Sequence, residues 1–237
     1  FIFILLVLSS FTIFYATKLY YQKRNEKLLQ RQRELRTITA QAMTAIANTI
    51  DAKDTYTKGH SSRVARYSVK IAEKLGMSKD KIDNLYYTAL LHDIGKIGVP
   101  DEILNKPGPL TDEEYSVMKE HPAIGGRILK VVTVIDDIKD GAAYHHERYD
   151  GRGYNSGLEG NDIPLIARII GVADAVDAMG STRPYRAKRT VEYVISELEN
   201  GIGKQFDPQI ANIFISLLRS GEVRIDDTDE SSDHISD

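Results

Sequence analysis

Apolar residues along the central part of the chain recur at the spacing of one-sided helices. Val64, Tyr67, Ser68, Ile71 and Leu75 share one face of a helix expected over 54–75, and a second helix is expected over 79–94. Thr111 followed by Glu114 has the form of a capping box and opens a third. Further helices are expected at about 122–132, 134–146, 164–179, 189–200 and 207–219. Two stretches interrupt the pattern, 95–110 with Pro100, Pro107 and Pro109, and the Gly-rich 150–164; both are expected to be loops. No alternation of apolar and polar positions runs long enough to predict a sheet. The expected fold class is therefore all-α.

The two ends depart from this pattern. Phe1 to Thr17 is apolar apart from Ser9, Ser10, Thr12 and Thr17. A bilayer-spanning helix needs about 20 residues of that kind, so 1–20 is expected to be the C-terminal part of a transmembrane helix. A signal peptide would start with a charged segment and end at a small-residue cleavage site, and neither is present. A buried core helix would not run straight into Lys18, Lys23, Arg24, Lys27, Arg31, Arg33 and Arg36. Those cations place the chain beyond them, with the main domain, on the cytoplasmic side of a membrane. Residues 21–50 lack Gly and Pro and repeat Leu28, Leu35 and Ala42, with Ile38 and Ala45 between, as a helical stalk able to form a homodimer. Arg31 on the seam weakens that pairing, and a single solvated helix is the alternative. The main domain is expected over 51–218, and 219–237, rich in Asp, Glu and Ser, is expected to be a disordered acidic tail.

Composition narrows the chemistry. The chain has 237 residues and no Cys, so any metal must be held by imidazole and carboxylate rather than thiolate. A formal net charge of -3 gives no reason to expect a nucleic-acid polymer as partner. Five of the six histidines fall in the helical region. His60 is in register with Val64, Ile71 and Leu75; His92 and Asp93 end the run Thr88-Ala89-Leu90-Leu91; His121 precedes Pro122; His145 and His146 are adjacent. Asp174 lies inside Ile169-Ile170-Gly171-Val172-Ala173-Asp174, where an unpaired carboxylate would cost several kcal/mol. Taken singly, each has an ordinary structural explanation: a satisfied core histidine, a capping aspartate, or for Asp174 an ion pair with Arg168 or Arg183. Taken together, five imidazoles and two carboxylates on inward faces point to a pair of metal ions, a common device for phosphate-ester hydrolysis.

The runs His92-Asp93-Ile94-Gly95-Lys96 and His145-His146-Glu147-Arg148-Tyr149-Asp150-Gly151-Arg152-Gly153-Tyr154 resemble the signatures of the HD hydrolases and of their HD-GYP subfamily. Asn105-Lys106-Pro107-Gly108-Pro109-Leu110-Thr111, Asp174-Ala175-Val176-Asp177-Ala178-Met179 and Arg183-Pro184-Tyr185-Arg186 match in order and spacing. The resemblance covers about 50–218 and implies an HD-domain helical bundle; the long signalling helix and partial transmembrane helix expected before it, and the acidic tail, lie outside the resemblance. It implies a phosphodiesterase that converts cyclic di-GMP to pGpG, and in some members on to GMP, through a metal-bridging hydroxide. His60, His92, Asp93, His121, His145, His146 and Asp174 correspond to ligands of two divalent ions, iron or manganese before zinc, nickel or cobalt, with Asp93 bridging. Asp93 and Lys96 carry the catalytic roles, and Lys96, Tyr154, Asp177, Arg183 and Arg186 fall at substrate contacts. Two departures stand out. Asn155 replaces the Pro of Gly-Tyr-Pro, so the loop is expected to be more mobile and to handle substrate differently. Tyr56 stands where some relatives have a carboxylate for a third ion. An HD hydrolase acting on other nucleotides, or a sensor that binds cyclic di-GMP without cleaving it, are the alternatives.

Overall fold

The computed structural model describes residues 2–54, 58–181 and 189–225. It divides into two units at Ala42/Met43. The first consists of one helix, the greater part of α1 (Ile2–Lys53), whose apolar N-terminal stretch is long and apolar enough to cross a membrane by length and composition. The second unit holds the end of α1 and the helices α2 (His60–Lys74), α3 (Lys79–Leu90), α4 (Asp101–Leu104), α5 (Asp112–Met118), α6 (His121–Leu129), α7 (Ile138–Tyr144), α8 (Leu165–Gly180), α9 (Val191–Gly201) and α10 (Pro208–Ser220). No strand occurs among the described residues beyond an isolated bridge between Ile202 and Phe206, so the architecture is all-α as expected.

The core is built from the apolar faces that the periodicity predicts. Val64, Tyr67 and Ile71 of α2 pack with Leu85 and Ala89 of α3, Ile169, Ile170 and Val176 of α8, and Phe214 and Leu217 of α10. Tyr67 meets Phe214 edge-on at 5.5 Å between ring centroids, the preferred aromatic geometry. Thr111 and Glu114 close the capping box that opens α5. The packed region extends past the boundary expected at 218: Gly221 takes a left-handed turn after α10, and Val223 and Ile225 return to the core. Residues 226–237, with the rest of the expected acidic tail, lie outside the described residues, as do Tyr56, Arg183 and Arg186.

The main differences from expectation are helix ends. The helix expected over 79–94 stops at Leu90 and gives way to a 3₁₀ turn, Ile94–Gly98. The one expected over 134–146 is confined to Ile138–Tyr144, so His145 and His146 sit just past its end rather than on it. The physical reason is local. The imidazole Nδ1 of His92 takes the Ala89 carbonyl at 2.7 Å, and that of His145 takes the Ala142 carbonyl at 2.9 Å, so each side chain caps an acceptor that a longer helix would bond to backbone.

Gly95 lets the 3₁₀ turn touch α6, because a Cβ there would run into the carbonyl oxygen of His121. Gly95→Ala should lower the unfolding free energy by about 1–3 kcal/mol, the usual cost of overpacking. Urea unfolding of the purified chain checks this, and an unchanged midpoint contradicts the contact.

Candidate metal centre

Three histidines lie just past a helix C-terminus and repeat one geometry, and His121 is also the first residue of α6. His92 follows α3, His121 follows α5 and His145 follows α7, and in each case Nδ1 lies 2.7–2.9 Å from the carbonyl oxygen three residues earlier, on Ala89, Met118 and Ala142. A carbonyl only accepts, so Nδ1 carries the proton and Nε2 presents a lone pair. All three Nε2 atoms are buried without a hydrogen-bond partner. His60 reaches the same arrangement differently. It opens α2, and its Nδ1 lies 2.8 Å from the Asp177 carboxylate of α8.

The four Nε2 atoms converge on Asp93. Its Oδ1 is 3.2 Å from His121 Nε2 and 3.7 Å from His145 Nε2, whereas its Oδ2 is 3.6 Å from His92 Nε2 and 3.7 Å from His60 Nε2. Donor atoms of Asp93, His121, His145 and His146 form one compact group, and those of His60, His92 and Asp93 form another. Asp174 on α8 joins the second, with Oδ1 3.4 Å from His60 Nε2. The structure thus brings together all seven of the side chains singled out as ligands. Buried Nε2 atoms of His92, His121 and His145 that have no hydrogen-bond partner, gathered around a carboxylate, are a donor set that suits a first-row divalent cation. The residues fit the metal that the sequence pattern implies.

The electrostatics agree at His92, His145 and His146 but not at His60. Burial pulls the His92 and His145 pKa values below the ordinary imidazole range and that of His146 to about 4, so these rings are neutral and available as ligands. Burial pulls His60 down as well, but Asp177 and Asp93 outweigh it and raise it to about 10. Burial alone would raise the Asp93 pKa, yet Lys96 and His92 hold it well below the usual carboxylate range. Lys96 Nζ sits 2.7 Å from Asp93 Oδ2 and 2.8 Å from Asp54 Oδ2, with its charge held against burial by those two carboxylates.

Several residues have roles other than those expected. Asp177 was assigned to substrate, but it lies behind His60. Both of its oxygens are engaged, by His60 at 2.8 Å, Arg63 Nε at 2.6 Å and Arg63 Nη2 at 3.0 Å, and it is almost fully buried. It orients His60 and fixes its tautomer. Burial would raise its pKa, but His60 and Arg63 hold it at about 2. Arg168, offered as a partner for Asp174, instead pairs with Asp207 at the start of α10. Tyr154 lies against the His146 ring, 4.8 Å between centroids at 33°. Arg63, Asp54 and the buried Asp51, which accepts from Ser61 Oγ at 2.7 Å, were not anticipated. Arg63 follows His60 by one helical turn, a spacing that could have drawn attention to it. Asp54 is cut off from the α2 register by the chain between, and nothing in the pattern marks it.

A profile of the HD domain matches residues 44–210. The chain is 41% identical over 185 residues to a protein of Thermotoga maritima named cyclic di-GMP phosphodiesterase, covering 77% of this chain and 50% of that protein. It is 40% identical over 167 residues to 3'3'-cGAMP-specific phosphodiesterase 3 of Vibrio cholerae, covering 70% of this chain and 36% of that one. Among solved structures, the HDG"Y"P protein Bd1817 of Bdellovibrio bacteriovorus superposes with a TM-score of 0.56 at 25% identity, over 68% of this chain and 51% of that one. The chain therefore spans half or less of the length of these curated relatives.

Asp177→Asn removes the charge that orients His60 while keeping the shape. It should weaken cation binding by about 10–100-fold, the usual effect of losing a partner behind a ligating histidine. Titration with Mn²⁺ monitored by calorimetry measures this, and wild-type affinity in the variant contradicts the assignment.

Proposed function

The chain belongs to the HD-domain family and, within it, to the HD-GYP type, and from that premise we propose that it is a cation-dependent phosphodiesterase that opens cyclic di-GMP to pGpG, with GMP as a further product. Its main support is Asp93, whose two oxygens address two separate groups of imidazoles. His121, His145 and His146 with Oδ1 of Asp93 would hold one divalent ion; His60, His92 and Asp174 with Oδ2 would hold a second. Iron or manganese suits these ligands, with zinc, nickel or cobalt as substitutes. When bound, such cations lower the pKa of water and offset the negative charge that gathers on a phosphate under attack.

The protein's own groups then have distinct tasks. Lys96 carries a buried positive charge beside Asp93, where it can neutralise a non-bridging phosphate oxygen. Tyr154 presents its ring next to His146 and is suited to lie against the nucleotide. Arg183 and Arg186 are proposed as further phosphate contacts on the strength of the motif alone. The apolar N-terminal helix is proposed to anchor the chain in the bacterial inner membrane with the HD domain in the cytoplasm, and 21–50 to pair two copies.

A second substrate, 3'3'-cGAMP, is favoured by one observation: a relative with that specificity is nearly as similar as the cyclic di-GMP enzyme, at 40% against 41% identity.

Chelated protein should lose turnover and regain it with Mn²⁺ or Fe²⁺. Asp93→Ala should lose cations and activity together, whereas Lys96→Ala should keep its cations and lose about 10²–10³-fold in kcat, as for other groups that stabilise transition-state charge. A panel of cyclic di-GMP, 3'3'-cGAMP, deoxynucleoside triphosphates and guanosine tetraphosphate, assayed by chromatography, identifies the substrate. Tight binding of cyclic di-GMP without cleavage at full cation load would mark a sensor instead.

A further inference from the structure

The loop after Tyr154 departs from the family's Gly-Tyr-Pro at Asn155, and its conformation there is not one that proline can adopt. Asn155 has φ 102, whereas proline is confined near −65°. Among non-glycine residues asparagine is one of the few that tolerate positive φ. Its side chain is also engaged: Nδ2 donates to the carbonyl oxygen of Ala143 at 3.2 Å. Ala143 lies in the last turn of α7, whose final carbonyls have no intrahelical donor. The neighbouring carbonyls are taken by His145 Nδ1, on Ala142, and by the Glu147 amide, on Tyr144. Asn155 therefore completes the capping of the helix that delivers His145 and His146.

The same loop is tied down on either side. Glu147 Oε1 accepts from the amides of Ser156 at 2.7 Å and Gly157 at 3.2 Å. Gly153 sits so close to Glu147 and Arg148 that a Cβ would strike their backbone. Tyr154 lies between these ties, and its ring rests on His146. Side-chain bonds tie the loop where the family has a proline ring.

We infer that Asn155 is a positioning residue: by joining the Tyr154 loop to the end of α7, it sets the Tyr154 ring against His146 and thereby tunes affinity for the nucleotide. The kinetic part of this inference rests on the proposed phosphodiesterase activity; the structural part does not. Asn155→Asp keeps the backbone preference but replaces the donor with an acceptor facing a carbonyl, and Asn155→Ala removes the bond.

Both variants should retain the wild-type cation content. Both should raise KM for cyclic di-GMP about three- to tenfold with kcat within about twofold, the range expected for one neutral hydrogen bond. In a Tyr154→Ala background the added Asn155→Ala should change KM by less than about 1.5-fold, because a residue acting through Tyr154 has nothing left to act on. Independently of substrate, backbone amide exchange at Ser156 and Gly157 should quicken about three- to tenfold in Asn155→Ala. Unchanged exchange, an undiminished KM effect without Tyr154, or a loss confined to kcat would overturn the inference. A wild-type protein that leaves cyclic di-GMP intact while exchange responds as stated would instead count against the activity and leave the loop tie standing.

Discussion

The second unit depends on a recurrent bond in which a histidine at the end of a helix donates Nδ1–H to the carbonyl three residues back. It occurs at His92, His121 and His145. One interaction does three things at once: it ends the helix, satisfies a carbonyl that would otherwise lack a donor, and fixes the tautomer so that Nε2 faces inward. Because α3, α5 and α7 are each followed by such a bond, three histidine Nε2 atoms arrive at the same place, although His121 also opens α6. Asp93, delivered by the turn after α3, lies at the centre with one oxygen for each group of imidazoles.

The surrounding packing serves that convergence. Gly95 brings the turn carrying Asp93 and Lys96 against the start of α6. Arg63 and the buried Asp177 form a pair behind His60 and orient its ring, which has no helix-end carbonyl to bond. The last turn of α1 closes the other side. Lys53 donates to the Lys96 carbonyl at 3.0 Å, and Asp54 accepts from Lys96 Nζ at 2.8 Å. Replacing Arg63, Asp177 or Asp54 by an apolar residue would take a partner from a buried charge, which costs more than the interaction contributes when intact.

Much of this was readable from the residues. Apolar periodicity located the helices of the domain, and the Thr111 and Glu114 pair marked the start of α5. His60 was placed inward by its register with Val64 and Ile71, and both now lie in the core with it. Helix ends were less accessible, because the bonds of His92 and His145 to Ala89 and Ala142 stop the chain where helical propensity would continue it. Asp177 was misassigned because its one-turn spacing from Asp174 suggests a shared target, whereas the pairing with Arg63 comes from α2 and leaves no periodic trace in α8. Asn155 was recognised as a departure from proline, but its positive φ and its bond to Ala143 are tertiary facts that composition does not encode.

The central claim is that the two oxygens of Asp93 join two cation sites. Anomalous diffraction from crystals of the chain loaded with Mn²⁺ tests it most directly. The account predicts two peaks flanking the Asp93 carboxylate, one beside His121, His145 and His146 and the other beside His60, His92 and Asp174. A single peak at saturating Mn²⁺, or peaks away from Asp93, would contradict it.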